Sequence, residues 1–137
     1  HGPGQTTGYV LGDLRGGRGV RRFVGALVDA MTDACHACGV PAAESDHERM
    51  GTYVEGRKVG SVGIRVAEGV SLHGIALNRD PDLEWFRIMS ACGAPDVVAT
   101  SIAAEGGDAD RARAEDALAH ALANRLNLRP EPAGLIP

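Results

Sequence analysis

The sequence predicts a single domain of the α/β class, and three stretches carry that reading. A glycine-spaced pair of strands runs from Lys58 to Asn78 through a turn at Ala67-Glu68-Gly69. Ahead of it, apolar residues recur at three- and four-residue spacing between Val20 and Cys38, the period of a helix that buries one side. Behind it, an alanine-rich stretch to about Leu126 offers Leu118, Leu122 and Leu126 as a buried edge. A chain of 137 residues is one domain with room for a real core.

Taken in order, His1-Gly2-Pro3-Gly4-Gln5 is a turn, because proline fixes φ and the glycines open conformations closed to other residues. A cramped backbone beside a histidine suits a ligand that approaches the main chain closely; the plain alternative is an ordinary connection. Tyr9 to Leu14 reads as a short strand, and Arg15 to Gly19 as a loop of breakers. The helix from Val20 to Cys38 carries Val20, Phe23, Val24, Leu27, Met31, Cys35 and Cys38 on its stripe; Gly39 ends it and Pro41 prevents continuation. Pro41 to Met50 is polar and reads as a loop. Gly51 to Glu55 is a strand, with Glu55-Gly56-Arg57 as a hairpin turn.

Lys58 to Val66 and Val70 to Asn78 carry few charges on either face, which predicts a sheet covered on both sides. Gly60, Gly63 and Gly74 mark places where a slender ligand or another backbone comes close, and spacing alone leaves those two readings open. Asp80-Pro81 has the form of a helix start, with Asp as cap and Pro at the first helical position. Trp85 and Phe86 are expected to anchor that short helix. Asp108 is expected to cap the last helix, and Arg129 to Pro137 forms a proline-rich tail beyond a domain of residues 1–128.

Composition narrows the function. The net charge is −4 with both signs distributed throughout, so there is no nucleic-acid footprint. No apolar run approaches the ~20 residues that span a bilayer. Three cysteines, an odd number with two on one predicted helix, suggest no disulfide framework and suit a reducing, cytoplasmic setting. Cys35-His36-Ala37-Cys38 has C-x-x-C spacing with His47 beyond, but a zinc site wants a second pair and none exists, so both cysteines are assigned to the core and no metal is expected. Arg15, Arg18, Arg21 and Arg22 cluster at the start of the first helix, against its dipole. They read as a solvated turn, with an acidic partner as the alternative.

The chemistry rests on Lys58, ahead of the β-ribbon, and Cys92, followed by Gly93, after it. An ordinary thiol titrates near 8.5 and is mostly protonated at pH 7, whereas an ammonium beside it stabilises the thiolate. Such a thiolate can attack a thioester and hold the acyl group as a new thioester. Passing that group to an amine is downhill, so no nucleotide is needed, consistent with the lack of a phosphate-binding P-loop motif. Once Cys92 is acylated, Lys58 is free to take the proton of the incoming amine. A lone lysine and a lone cysteine would read as a solvated hairpin residue and a small buried hydrophobe; the surrounding motifs decide between the two.

HGPGQ at the start, GRKVGSVGIRVAEGVSLHGIALN, DLEWFRIMSACG and Thr100-Ser101 stand in the order found in lipoyl(octanoyl) transferases, and the chain resembles that family from His1 to about Ser101. The resemblance implies the fold of biotin and lipoyl protein ligases, a mixed β-sheet flanked by helices. It implies an octanoyl group moved from octanoyl-acyl carrier protein, through a Cys92 thioester, to a lysine of lipoyl domains or of the glycine cleavage H protein. Lys58 then lowers the Cys92 pKa, and substrate contacts fall at His1, Gly2, Ser61, Val62, Gly63, His73, Gly74, Ile75 and Ala76. No cofactor, membrane or nucleic-acid partner is implied, and a monomer is expected. The chain departs from the family at Ala91, where proline usually precedes the cysteine. It also opens inside a motif, at His1, so the resemblance implies a further N-terminal part upstream. Two rivals remain: an ATP-dependent lipoate or biotin ligase on the same fold, which needs no nucleophilic cysteine, and a non-catalytic remnant that binds carrier or lipoyl domains. A Cys–His hydrolase is weaker, because no Asn or Asp can be assigned to orient the histidine.

Overall fold

The computed structural model describes residues 1–15, 19–88 and 97–129. Its elements are β1 (Gln5–Tyr9), α1 (Val20–Ala37), β2 (Ala43–Asp46), β3 (Gly51–Val54), β4 (Arg57–Ala67), β5 (Val70–Asn78), α2 (Glu84–Ile88) and α3 (Arg111–Leu126). The strands form one sheet in the order β1-β5-β4-β3-β2, with every neighbour antiparallel. Among the described residues the parallel component of the expected mixed sheet is a single bridge, Lys58 with Ala99.

α1 forms where the periodicity places it, and the reason it stops is visible in its backbone. Gly39 takes a left-handed φ of 84°, Gly39 N donates to His36 O, and Val40 N donates to Cys35 O. That pair of bonds satisfies two end-of-helix carbonyls, and Val40 is buried against the same end. Phe23, Leu27, Met31, Ala34, Cys35 and Cys38 enter the core, whereas Val20, expected on the stripe, is exposed. The core is one cluster that joins this stripe to Ala114 and Leu118 of α3 and to Val59, Ile75 and Leu77 of the sheet. α1 and α3 therefore share one face of the sheet. Arg125 strengthens their contact with a two-pronged pair to Asp33 (2.6 and 2.8 Å).

Several expectations are corrected. The first strand starts at Gln5, inside the glycine-rich turn, not at Tyr9; residues beyond it continue beside β5 through Val10 N to His73 O, Ser71 N to Gly12 O and Leu14 N to Gly69 O. Pairing to a long neighbour overrides the weak strand propensity of this stretch. Pro41 to Met50 is not all loop: Ala43–Asp46 is an edge strand, polar because it pairs on one side only. Helix α2 is capped by Asp82, whose side chain accepts from Glu84 N, and α3 by Asp110, which accepts from Arg113 N. The expected caps, Asp80 and Asp108, have their own amides bound to Gly4 O and Cys38 O. Of the two expected anchors of α2, Trp85 is 62% exposed and Phe86 half-buried, and α2 has no buried residue. Among the described residues the helices α1 and α3 pack on one face of the sheet, and neither covers the second.

Candidate active site

That second face holds several of the residues singled out from the sequence, and a β-bulge puts Lys58 there. Tyr53 pairs with Lys58 and Thr52 with Gly60, so Val59 is an extra residue on β4. Val59 and Gly60 both point to the helices: Val59 is fully buried, and a Cβ on Gly60 would stand 2.8 Å from Met31 Sδ. Simple alternation would put Lys58 on the same side as Gly60. The bulge reverses it and re-aims Lys58 to the open face. Beyond the bulge the ordinary two-residue alternation places Ser61 and Gly63 on that face with it.

Six of the seven expected contact residues of the two long strands are direct cross-strand partners: Ser61 with Ala76, Val62 with Ile75, and Gly63 with Gly74. Ile75 is buried in the core and Val62 packs against it, so the open face sees Ser61, Gly63 and Ala76. The three glycines do three different things. Gly60 lets α1 approach, and Gly74 lets β1 approach, since a Cβ there would stand 1.9 Å from Gly8 O. Gly63 faces open space, with nothing within 4 Å of such an atom. Only Gly63 leaves room for a ligand. His73 is exposed although its partner Ile64 packs on the core, and its φ of 69° is a left-handed conformation inside a strand. Such strain costs about 1–3 kcal/mol and often accompanies function.

The main chain of Lys58 is held by the return of the chain from α2. Lys58 N donates to Val98 O (2.8 Å) and Lys58 O accepts from Thr100 N (2.9 Å). Cys92 lies outside the described residues, as does Arg18 of the arginine cluster. Asn78, for which the sequence suggested no role, joins the surrounding pieces. Its side chain accepts from Gln5 Nε2 (2.9 Å) and donates to Thr100 O (3.0 Å), while its carbonyl accepts from Ile102 N (2.9 Å). The HGPGQ turn docks beside it: Arg79 N and Asp80 N both donate to Gly4 O. Gly4 has φ 82°, and a Cβ on it would stand 2.1 Å from Asp80 O, so no side chain fits. His1 and Gly2 are exposed at the rim of this turn.

Electrostatics reinforce the return segment. Arg57 makes two bonds of 3.0 Å to Glu105, whose carboxylate also accepts from the Thr100 hydroxyl. The Arg57 hydrogen bonds, with the Thr100 bond adding, hold the Glu105 carboxyl below the usual glutamate value. Its stability contribution is therefore present above about pH 4.5 and lost as pH falls through the lowered folded value. Thermal unfolding of Glu105→Gln should show a lower Tm than the parent at pH 7, and the gap should narrow below pH 4.5. A gap that stays constant down to pH 3 would show that the difference does not come from the ionised carboxylate. Cys35 and Cys38 lie in the core; burial pushes the Cys35 thiol up to about 12 and raises that of Cys38. Neither offers a thiolate at neutral pH.

Lys58 is the only lysine of the chain; the other thirteen basic residues are arginines. Among the described residues it makes no salt bridge, and its ammonium stands 5.6 Å from the centre of the Tyr53 ring. No helix of the described residues is long and apolar enough to cross a membrane.

Comparison with known proteins agrees with the fold. The model of the lipoyl protein ligase A/B catalytic domain matches residues 1–123. The octanoyltransferase of Alcanivorax borkumensis is 42% identical over 137 residues, covering 98% of this chain and 55% of that protein. That of Magnetococcus marinus is 39% identical over 130 residues, covering 94% and 61%. The chain thus spans little more than half the length of these curated relatives. Among solved structures, apo biotin protein ligase from Aquifex aeolicus superposes with a TM-score of 0.67 at 16% identity, over 90% of this chain and 53% of that one. Lipoate-protein ligase A bound with ATP gives 0.64 at 12%, over 96% and 55%. The chain belongs to the lipoyl protein ligase A/B catalytic domain family.

Proposed function

We propose that the chain carries the acyl-transfer centre of an ATP-independent octanoyltransferase, with residues 1–128 as its catalytic domain and Cys92 and Lys58 as its reacting groups. One observation carries the reading: a lysine re-aimed by a bulge onto the small-residue face is tied, through Val98 and Thr100, to the segment that follows Cys92. In the first half-reaction the Cys92 thiolate attacks the thioester of octanoyl-acyl carrier protein. The carrier leaves as a thiolate and takes a proton from solvent, while Lys58, no longer beside a thiolate, releases its own proton to solvent and becomes a neutral amine. In the second, the lysine amine of a lipoyl domain or glycine cleavage H protein attacks the Cys92 thioester. Its proton passes to Lys58, the amide forms, and the thiolate–ammonium pair is restored. Gly63, open and about 15 Å along β4 from Lys58, gives the acyl chain a track past Ser61 and Ala76. His1, Gly2, His73 and the backbone at Val62, Gly74 and Ile75 border it. The reaction would run in the cytoplasm, with the chain a monomer.

The test is intact mass after incubation with octanoyl carrier protein and no ATP. One octanoyl adduct is expected, removed by hydroxylamine and mapped by peptide analysis to Cys92. An adduct of equal yield on Cys35 or Cys38 would refute the assignment. An absolute need for ATP with free octanoate would identify a ligase, and binding of carrier without an adduct would identify a non-catalytic module.

A further inference from the structure

A second residue, Tyr53, stands beside Lys58 on the open face. Tyr53 is 4% exposed, pairs directly with Lys58 across β3 and β4, and lies in contact with two cations. Arg49 stacks on its ring with the guanidinium carbon 4.0 Å from the ring centre, and the Lys58 ammonium approaches to 5.6 Å. Arg49 is itself fixed by Asp46, Nε to Oδ2 2.6 Å. Gly51 completes the arrangement: a Cβ there would stand 2.8 Å from Lys58 Cε and 3.2 Å from Tyr53 Cε2. The lysine stem therefore lies in a hollow that only glycine leaves, beside a ring that burial keeps still.

A free lysine side chain carries the rotamer entropy of four bonds, so an ammonium that serves a reaction must be held by something. A carboxylate would hold it strongly, but it would also neutralise its charge and oppose loss of its proton. An aromatic face attracts the cation through its quadrupole and carries no net charge. We propose that Tyr53 is a positioning residue for Lys58: its buried ring, with the hollow at Gly51, holds the ammonium over the open face while leaving its charge for the Cys92 thiolate. The inference rests on the Lys58–Cys92 reading above and adds what keeps that lysine in place.

Because Lys58 is the only lysine, [13C]lysine labelling of the chain gives one ε-methylene signal. Its protons should be shifted upfield by the Tyr53 ring current in the unaltered protein, and random-coil values there would overturn the proposal before any variant is made. Two isosteric replacements then separate ring from hydroxyl. Tyr53→Phe should keep both the ring-current shift and the pH profile of Cys92 alkylation. The same phenylalanine with three ring fluorines keeps the volume and removes the negative face. With it, the Cys92 alkylation midpoint should rise by about 0.4–0.7 pH unit, slowing alkylation at neutral pH by about three-fold. If plain phenylalanine moves the midpoint as far as the fluorinated ring, the hydroxyl is the holder and the proposal fails. If the fluorinated ring leaves the midpoint unchanged while Lys58→Met raises it, Tyr53 does not position Lys58. If Lys58→Met itself changes nothing, the Lys58–Cys92 couple is at fault, and the inference falls with it.

Discussion

Lys58→Met should cut octanoyl transfer by about 10²–10⁴-fold while leaving the fold intact, and the companion variants show why. Met keeps the stem in the Gly51 hollow and deletes the charge. Cys92 should then titrate close to the free-thiol value of about 8.5, and its alkylation by iodoacetamide at pH 7 should slow. Cys92→Ser should form no thioester at all. Lys58→Arg is the discriminating case, because a guanidinium keeps positive charge but does not release a proton. It should still load the octanoyl group onto Cys92 and then stall before passing it to the acceptor lysine, so the acylated protein accumulates. An Arg variant that completes both half-reactions at the parent rate would show that Lys58 supplies charge alone. The proton of the acceptor amine would then pass elsewhere, with His1 and His73 the next groups to test.

What was legible in the sequence was what is decided locally. The α1 stripe, its stop at Gly39, and the two hairpin turns depend on residues a few positions apart; Glu55, Gly56, Glu68 and Gly69 all take the left-handed φ such tight turns require. What was not legible depends on partners far along the chain. β2 is a strand only because β3 lies beside it. Asp80-Pro81-Asp82 and Asp108-Ala109-Asp110 each offer two caps two residues apart, and a distant carbonyl, Gly4 O or Cys38 O, engages the amide of the first and leaves the second to cap. The bulge at Val59 is invisible to alternation, yet it decides which face receives Lys58. Asn78 stood at the end of a recognisable motif, but its partners Gln5 and Thr100 are 73 and 22 residues away. Tyr53 read as an ordinary strand residue because its value lies in a cross-strand neighbour. The triplets at Ser61 and Gly74 were expected from the motif alone, and the register adds that they are cross-strand partners with only alternate side chains on the open face.

Gly74→Ala should destabilise the fold by about 3 kcal/mol or more, the largest loss expected of any single methyl added to this sheet. The new Cβ would stand 1.9 Å from Gly8 O, 2.9 Å from Gly8 C and 3.0 Å from Val10 N, all backbone atoms that no rotamer change can move aside. Relief requires β1 to separate from β5, which breaks the pairing of Gly8 with Ile75 and Tyr9 with Gly74 and exposes their amides unpaired. The effect spreads to the HGPGQ turn, which β1 holds against Asn78. Gly63, its cross-strand partner, should behave in the opposite way. Gly63→Ala meets nothing within 4 Å and loses the entropy penalty of glycine in a strand, so its Tm should equal or exceed that of the parent. Gly63→Leu should also fold, but its side chain would fill the track proposed for the octanoyl chain, so acyl loading onto Cys92 should fall while iodoacetamide still reaches the thiol. Circular-dichroism melts and octanoyl loading on the three variants measure both effects. A Gly74→Ala protein with parental Tm would show that β1 does not press on β5 as the geometry requires. A Gly63→Leu protein that loads octanoate at the parent rate would place the acyl chain somewhere other than this face.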